Sequence, residues 1–311
     1  MTPIMSYDYQ SLLDRVHATV AAQPIRGKVA DYIPALARVD GRRFGLALAL
    51  TDGRVFSAGE ADEPFSIQSM SKLFTLVMAQ RLYGDDLWQR VGREPSGTAF
   101  NSLVQLEHED GFPRNPFINA GALAVTNALV SRYAQPERAI LDFLASLCGR
   151  KKIFIDEDVA RSEEQHGDRN RAIAYFLKAH DRFENDVAEV TRTYFRQCAI
   201  PLTCRELAQA ALFLANNGTT LDGARVLSPV QTRQTLAVML TCGLYDGVGD
   251  FVFRVGLPAK SGVGGGIIAI LPGVGSLCVW SPPLDARGNS ARGIDALELI
   301  AADLAVVPGV L

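Results

Sequence analysis

The sequence predicts an α+β fold: a mixed, mainly antiparallel sheet built from N- and C-terminal segments with flanking helices, plus an inserted α-helical subdomain. Three observations carry this. Short apolar runs broken by turn residues occur near both ends of the chain. The middle is dominated by apolar positions at helical spacing. No internal repeat or low-complexity linker divides the 311 residues, so a single domain of two interleaved parts fits the length. The sheet part is expected at about 1–66 and 222–311, and the helical part at about 67–221.

Residues 6–22 place Leu12, Leu13, Val16 and Val20 on one face of a helix. The apolar run Phe44–Leu50, then Thr51-Asp52-Gly53, then Arg54–Ala58 reads as a β-hairpin, because Asp-Gly suits a tight turn between strands. Helical periodicity follows over Ser69–Tyr83, Asn119–Tyr133, Arg138–Leu147, Arg169–Ala179, Val187–Gln197, Thr203–Asn216 and Ser228–Leu240. Val91–Pro116 is the longest irregular stretch, and long ordered loops in compact domains often carry function. Four short runs, Phe251–Val255, Ala259–Gly262, Ile267–Leu271 and Ser276–Trp280, predict antiparallel strands. A helix over Gly288–Val307 closes the chain.

Composition narrows the function. Hydrophobic residues make up 48% and charged residues 21%, leaving little room for extended disorder. The net charge is −3, and the one short basic run is Arg150-Lys151-Lys152, which argues against a nucleic-acid partner. Five scattered cysteines without CxxC spacing predict reduced, buried thiols rather than a disulfide framework or a zinc site. The start MTPIMSYDYQ lacks a signal peptide's apolar core, and no apolar run reaches membrane-spanning length. A cytoplasmic protein with no membrane partner is expected.

Two short motifs carry chemistry. In FSIQSMSKLFTL, Ser69 precedes Lys72 by one helical turn, so both lie on one face. An ammonium buried near a helix N-terminus is disfavoured by desolvation and by the helix dipole, so its pKa falls. The neutral amine can then take the serine proton and activate a weak nucleophile. The same residues also fit a plain N-capped helix. Ser71 points off the Ser69–Lys72 face and reads as a packing or capping residue. Later, Lys260-Ser261-Gly262 leads into Val263-Gly264-Gly265-Gly266. A Lys-Ser-Gly strand after a Ser-x-x-Lys helix completes a serine–lysine acyl-transfer set, although a Gly-rich hairpin turn is its structural alternative.

Two polar stretches remain open between ligand contact and helix capping: Ser162–Asn170, and Gly111–Gly121 with Asn119 as a possible N-cap. His17, His108, His166 and His180 form no triad, since no GxSxG-type elbow is present. Metal binding by His166 and Asp168 lacks further ligands.

FSIQSMSK, NPFINAGAL, ARSEEQHGDRN, CGLYDGVGDF and VGLPAKSGVGGGI, in this order, resemble the bacterial-type glutaminases of the serine β-lactamase/penicillin-binding-protein fold group. YIPALA and WSPPLDARGNS fit as well, so the resemblance runs from about Lys28 to about Ala301. It implies hydrolysis of L-glutamine to L-glutamate and ammonia with no cofactor. It implies Ser69 as nucleophile and Lys72 as base, with Tyr32 and Tyr245 as relay and positioning hydroxyls. The main-chain N–H groups of Ser69 and Val263 would form the oxyanion hole. Glu163 would face the substrate ammonium, and Asn119, Asn170 and Tyr194 would hold the rest of the amino acid. Lys260 would support the Ser69/Lys72 electrostatics. A homodimer or homotetramer is implied. Two alternatives share the fold: a β-lactam- or peptide-directed serine hydrolase, and a catalytically inactive amino-acid sensor. Tyr245-Asp246-Gly247 does not supply the asparagine of the YxN element usual in the first of these.

Overall fold

The computed structural model describes residues 7–305. Residue 6 of the first expected helix, residues 306–307 of the last, and most of the N-terminal stretch weighed as a signal sequence lie outside them.

The chain begins with α1 (Tyr9–Ala21), the single turn α2 (Pro34–Ala37), the hairpin β1 (Gly45–Leu50) and β2 (Val55–Gly59), and β3 (Phe65–Ser66). The helical stretch follows: α3 (Ser71–Tyr83), α4 (Leu103–His108), α5 (Asn119–Val130), α6 (Pro136–Cys148), α7 (Glu157–Gln165), α8 (Asp168–Ala179) and α9 (Val187–Cys198). Then come β4 (Pro201–Leu202), α10 (Cys204–Ala215), α11 (Pro229–Cys242), α12 (Val248–Arg254), β5 (Ala259–Gly262), β6 (Gly266–Leu271), β7 (Gly275–Trp280) and α13 (Ala291–Ala305).

The main sheet has the order β2-β1-β7-β6-β5, every pair antiparallel. The last strand inserts beside the first, which joins the two ends of the chain in one sheet. Strand β1 reads GLALAL and is buried on both faces. Its leucines Leu46, Leu48 and Leu50 join one core with residues of α1 and α13. Its alanines Ala47 and Ala49 join the other core with Ala208, Ala210 and Ala211 of α10. Small residues on both sides let α10 lie close to the sheet, while each buried leucine contributes about 2 kcal/mol.

Two sequence expectations change here. Residues Phe251–Val255 are helical in their larger part, not a strand. In a strand, Phe251, Phe253 and Val255 would share a face. Instead Phe251 and Val255 are buried, four residues apart, and Phe253 is 91% exposed between them. Helix α10, placed by sequence in the helical part, packs on β1, β6 and β7. The other helix boundaries shift by a few residues, where caps set them. Thr203 with Glu206 and Ser228 with Gln231 form capping boxes before α10 and α11.

Helix α5 is the axis of the helical part. It is apolar nearly all round and contacts α3, α8 and α9. Asn115 holds its entry: its side-chain oxygen accepts from the N–H groups of Phe117 and Ile118, at 3.0 and 3.1 Å. The irregular Val91–Pro116 stretch contains α4, which sequence periodicity did not reveal. Among the described residues no single helix is long and apolar enough to cross a membrane.

Candidate active site

The chain leaves β3, turns through a 3-10 segment at Gln68–Met70, and enters α3 at Ser71. Ser69 therefore lies in this 3-10 turn and not in the first α-helical turn expected from the sequence. Gln68, just before it, has φ +48°, a left-handed conformation that costs a non-glycine residue about 1 kcal/mol or more. The surroundings fix it. The Ile67 N–H donates to Ile200 O at 2.9 Å, Gln68 Nε2 to Ser66 Oγ at 3.0 Å, and Ser66 Oγ to Cys198 O at 2.8 Å.

Strand β5 runs against this turn, and the glycines of KSGVG allow it. A Cβ on Gly262 would stand 2.7 Å from Ile67 O and 3.2 Å from Ser69 N. One on Gly264 would stand 2.2 Å from Ser66 O. Only bare backbone fits this close to the Ser69 N–H. Val263, between them, is 7% exposed, as is Ser69.

Lys72 is fully buried, one turn along. Its Nζ donates to Asn119 Oδ1 at 2.6 Å and to Phe117 O at 3.3 Å. Burial drives its pKa down to about 8, against smaller opposing effects of Cys198 and Glu163. Asn119 is the first residue of α5 and not its N-cap, which is Ile118. Its side chain is committed elsewhere: besides meeting Lys72, Oδ1 accepts from Tyr194 Oη at 3.2 Å, and Nδ2 donates to Asn170 Oδ1 at 2.8 Å. Tyr194 is buried on α9, and burial raises its pKa well above the ordinary phenol value.

Glu163 sits on α7, a helix where sequence analysis expected only a polar stretch between helices. The Asp156 side chain caps α7 by accepting from the Asp158 and Val159 N–H groups. The carboxylate of Glu163 is buried, and its Oε1 has no hydrogen-bond partner among the described residues. Burial raises its pKa to about 7, opposed by Gln68, Lys72 and His166. An N–H of Ala35 donates to Ser162 Oγ at 3.3 Å, tying α2 to α7.

The two tyrosines differ. Tyr32 is 53% exposed, yet its inner end is enclosed enough that burial, with Tyr245 and Glu163 nearby, raises its pKa strongly. Tyr245 is buried at φ +54°, and its ring lies 4.6 Å from that of Phe100. Burial pushes its hydroxyl to about 12, tempered by Ser69 and Ser261, although the oxygen completes no hydrogen bond among the described residues. Lys260 is buried on β5, donates to the carbonyls of Gly243 and Ser261, and has Nζ 4.6 Å from the centre of the Tyr245 ring. Burial, then the charge of Lys72, lowers its pKa well below the ordinary value.

The geometry thus gathers a serine on a strained turn, two disfavoured ammonium groups, and a buried carboxylate oxygen without a partner. Comparison with known proteins identifies the family. A family model described as Glutaminase matches residues 27–307. The chain belongs to the glutaminase family. It is 54% identical over 292 residues to a glutaminase of Paraburkholderia phytofirmans, covering 94% of this chain and 96% of that relative. It is 53% identical over 299 residues to a glutaminase of Rhizobium rhizogenes, covering 95% and 96%. Among solved structures, the probable glutaminase ybaS superposes with TM-score 0.91 at 37% identity, covering 95% of this chain and 96% of that one. Mglu in its glutamate form superposes with TM-score 0.90 at 37% identity, covering 97% and 69%.

Within this glutaminase fold, sequence reasoning missed three neighbours of the site. Gln68 lies beside both Ser69 and Glu163, Cys198 beside Ser71 and Tyr194, and Phe100 against Tyr245. No periodicity or motif spacing marks them, because each arrives from a different element or from a backbone conformation. Ser71, read as packing, is buried, and its Oγ accepts from Gln197 Nε2 at 3.5 Å.

Proposed function

We propose that this member of the glutaminase family releases ammonia from L-glutamine through a glutamyl ester on Ser69, with Lys72 as the base. Serine-dependent hydrolysis of L-glutamine to L-glutamate and ammonia is the activity; the assignment of residues to its steps is our reading. The observation that carries it is the seating of Lys72. A neutral amine has two N–H bonds and one lone pair. Asn119 Oδ1 and Phe117 O accept two N–H bonds, which leaves the lone pair for the Ser69 hydroxyl. With a pKa near 8, a usable fraction of this amine is neutral close to physiological pH.

Ser69 Oγ attacks the side-chain amide carbon, and its proton passes through Lys72 to the departing ammonia. Water then attacks the ester and gives a proton to Lys72, which returns it to Ser69 Oγ as the acyl–oxygen bond breaks and L-glutamate leaves. The N–H groups of Ser69 and Val263 face the oxyanion; one such donor is worth about 3 kcal/mol in comparable sites. Tyr245, whose hydroxyl lies by Ser69 with no partner among the described residues, orients the nucleophile, and Tyr32 relays protons at the open side. The unpartnered Oε1 of Glu163 suits the α-ammonium of the substrate, since a buried carboxylate oxygen seeks a cation. The amide of Asn170 and the second amide hydrogen of Asn119 suit the α-carboxylate, with Tyr194, which donates to Asn119 Oδ1, orienting that amide.

The test is ammonia release from L-glutamine by the wild type and by Ser69→Ala, with a chromogenic β-lactam run alongside. Turnover of glutamine alone, lost in the variant, is expected. Activity retained by Ser69→Ala would remove the nucleophile from this mechanism. Assembly as a homodimer or homotetramer, measured by light scattering, and residence in the cytoplasm are further parts of this reading. They rest on the family resemblance and on a composition with five free, buried cysteines.

A further inference from the structure

We infer that Asn289 is a positioning residue for the reaction: through Ser261 it turns the proton of the Tyr245 hydroxyl away from Ser69. This rests on the Ser69 reading above. Asn289 lies in the loop between β7 and α13 and is 1% exposed. The Asp285 side chain shapes that loop: its Oδ1 accepts from the N–H groups of Arg287 and Asn289, each at 2.9 Å. Gly288, at φ +86°, allows the chain to turn between them. The 3-10 turn Tyr245–Gly247 closes directly over the Asn289 amide, since a Cβ on Gly247 would stand 3.0 Å from Nδ2.

The partners fix which way this amide faces. Leu244 O can only accept, so it takes Nδ2, at 3.3 Å. Oδ1 therefore faces Ser261, whose Oγ donates to it at 2.6 Å. Gly243 O, at 3.4 Å, is the weaker acceptor for the same proton. Ser261 has one hydroxyl proton, so towards any other group it can only accept.

Tyr245 lies next along this chain. Ser69 and Ser261 are the two hydroxyls close enough to lower its pKa. Both contacts can be satisfied together in one way: Tyr245 donates to Ser261 and accepts from Ser69. The direction matters for the chemistry. A Tyr245 proton aimed at Ser69 would bind a lone pair of the nucleophile. With that proton held on Ser261, Ser69 shares its own proton between Lys72 and Tyr245 and keeps its lone pairs for the amide carbon. Without the Asn289 acceptor, the Ser261 proton is free to turn to Tyr245, and the Tyr245 proton then turns to Ser69.

The experiment is a double-mutant cycle of Asn289→Ala with Tyr245→Phe, read as single-turnover ammonia release from L-glutamine and as kcat and KM. Urea unfolding checks that each variant is folded. Asn289→Ser, which leaves a polar group in place of the amide, stands in if the alanine variant does not fold. On the wild-type background, loss of the amide should lower kcat by about 10- to 100-fold with KM within about threefold. On the Tyr245→Phe background, the same substitution should change kcat by less than about twofold, because the hydroxyl it acts through is gone. An equal loss on both backgrounds would make Asn289 a merely structural residue and overturn this inference, leaving the Ser69 reading standing. An unchanged kcat in the single variant would overturn it too, and so would a protein that folds with neither substitution. Full glutamine turnover by Ser69→Ala would overturn the Ser69 reading and this inference together.

Discussion

The segment around Lys72 and the strand around Lys260 each bury a lysine completely, and they do it differently. Lys72 is held by the Asn119 side chain and the carbonyl of Phe117, with Glu163 and Cys198 close enough to affect its charge. Lys260 is held by two main-chain carbonyls and lies over the rings of Tyr245 and Phe117. Main-chain carbonyls cannot move or change charge. Side chains that also face the substrate can. On the mechanism proposed above, Lys72 is the lysine that exchanges protons, while Lys260, on the strand that carries Gly262 and Val263 and beside the Tyr245 ring, belongs to the frame of the site.

The largest test of this contrast is Lys72→Met. Loss of the base should lower kcat by about 10³- to 10⁴-fold, read in single-turnover ammonia release. Next is Gly262→Ala. The added Cβ, 2.7 Å from Ile67 O, must displace the strand or the nucleophile turn. A fall in kcat of about 10²-fold with little change in KM is expected, as for loss of an oxyanion donor. An unchanged kcat would mean that this close approach does not matter for catalysis.

Glu163→Gln tests the Lys72 side through its substrate-facing neighbour. Removing a charge-assisted contact at a non-reacting end should raise KM by about 10- to 100-fold with a smaller effect on kcat. Two pH effects accompany it. In the wild type, kcat/KM should fall as pH drops through about 8 and again through about 7, as Lys72 and then Glu163 take up protons. In Glu163→Gln only the Lys72 step should remain, moved below its wild-type position because the Glu163 charge no longer raises the Lys72 pKa. Stability should respond in the opposite sense. Folded Glu163 holds its proton up to about pH 7, whereas the unfolded chain releases it near 4.5, so stability declines as pH rises through that window. The variant lacks this loss and should gain about 2–3 kcal/mol above pH 7, and nothing at pH 4, by urea titration.

The smallest effect on chemistry is expected from Lys260→Met. It takes the Lys260 donor from Ser261 O, while Gly243 O keeps the Ser261 N–H, so a stability cost of about 1–3 kcal/mol is expected. The acid limb near pH 8 should stay in place, because that limb belongs to Lys72. Disappearance of that limb would make Lys260 the titrating group and would break the distinction.

Much of the fold was legible because burial and periodicity agree. The alternation in β1 and the Asp52-Gly53 turn name the hairpin, and caps such as Thr203 and Ser228 mark helix starts. Phe251–Val255 misled because a short apolar run fits strand or helix alike, and only the exposure of Phe253 decides it. Of the proposed site residues, Ser69, Lys72 and Lys260 were singled out by spacing and order along the chain. The contact of Asn119 with Lys72 was not, since the two are 47 residues apart and meet only when α5 packs on α3. Nor was the left-handed turn at Gln68, because glutamine carries no signal for positive φ. Glu163 could be named only through the family motif; its burial without a partner is a property of the packed structure.

The most direct test of the central claim is the mass of the enzyme caught during turnover. Wild-type protein mixed with L-glutamine, quenched in acid within one turnover and digested, should carry a glutamyl group on the peptide holding Ser69. Ser69→Ala treated in the same way should carry none. A glutamyl adduct on any other residue, or full glutamine turnover by Ser69→Ala, would contradict the account.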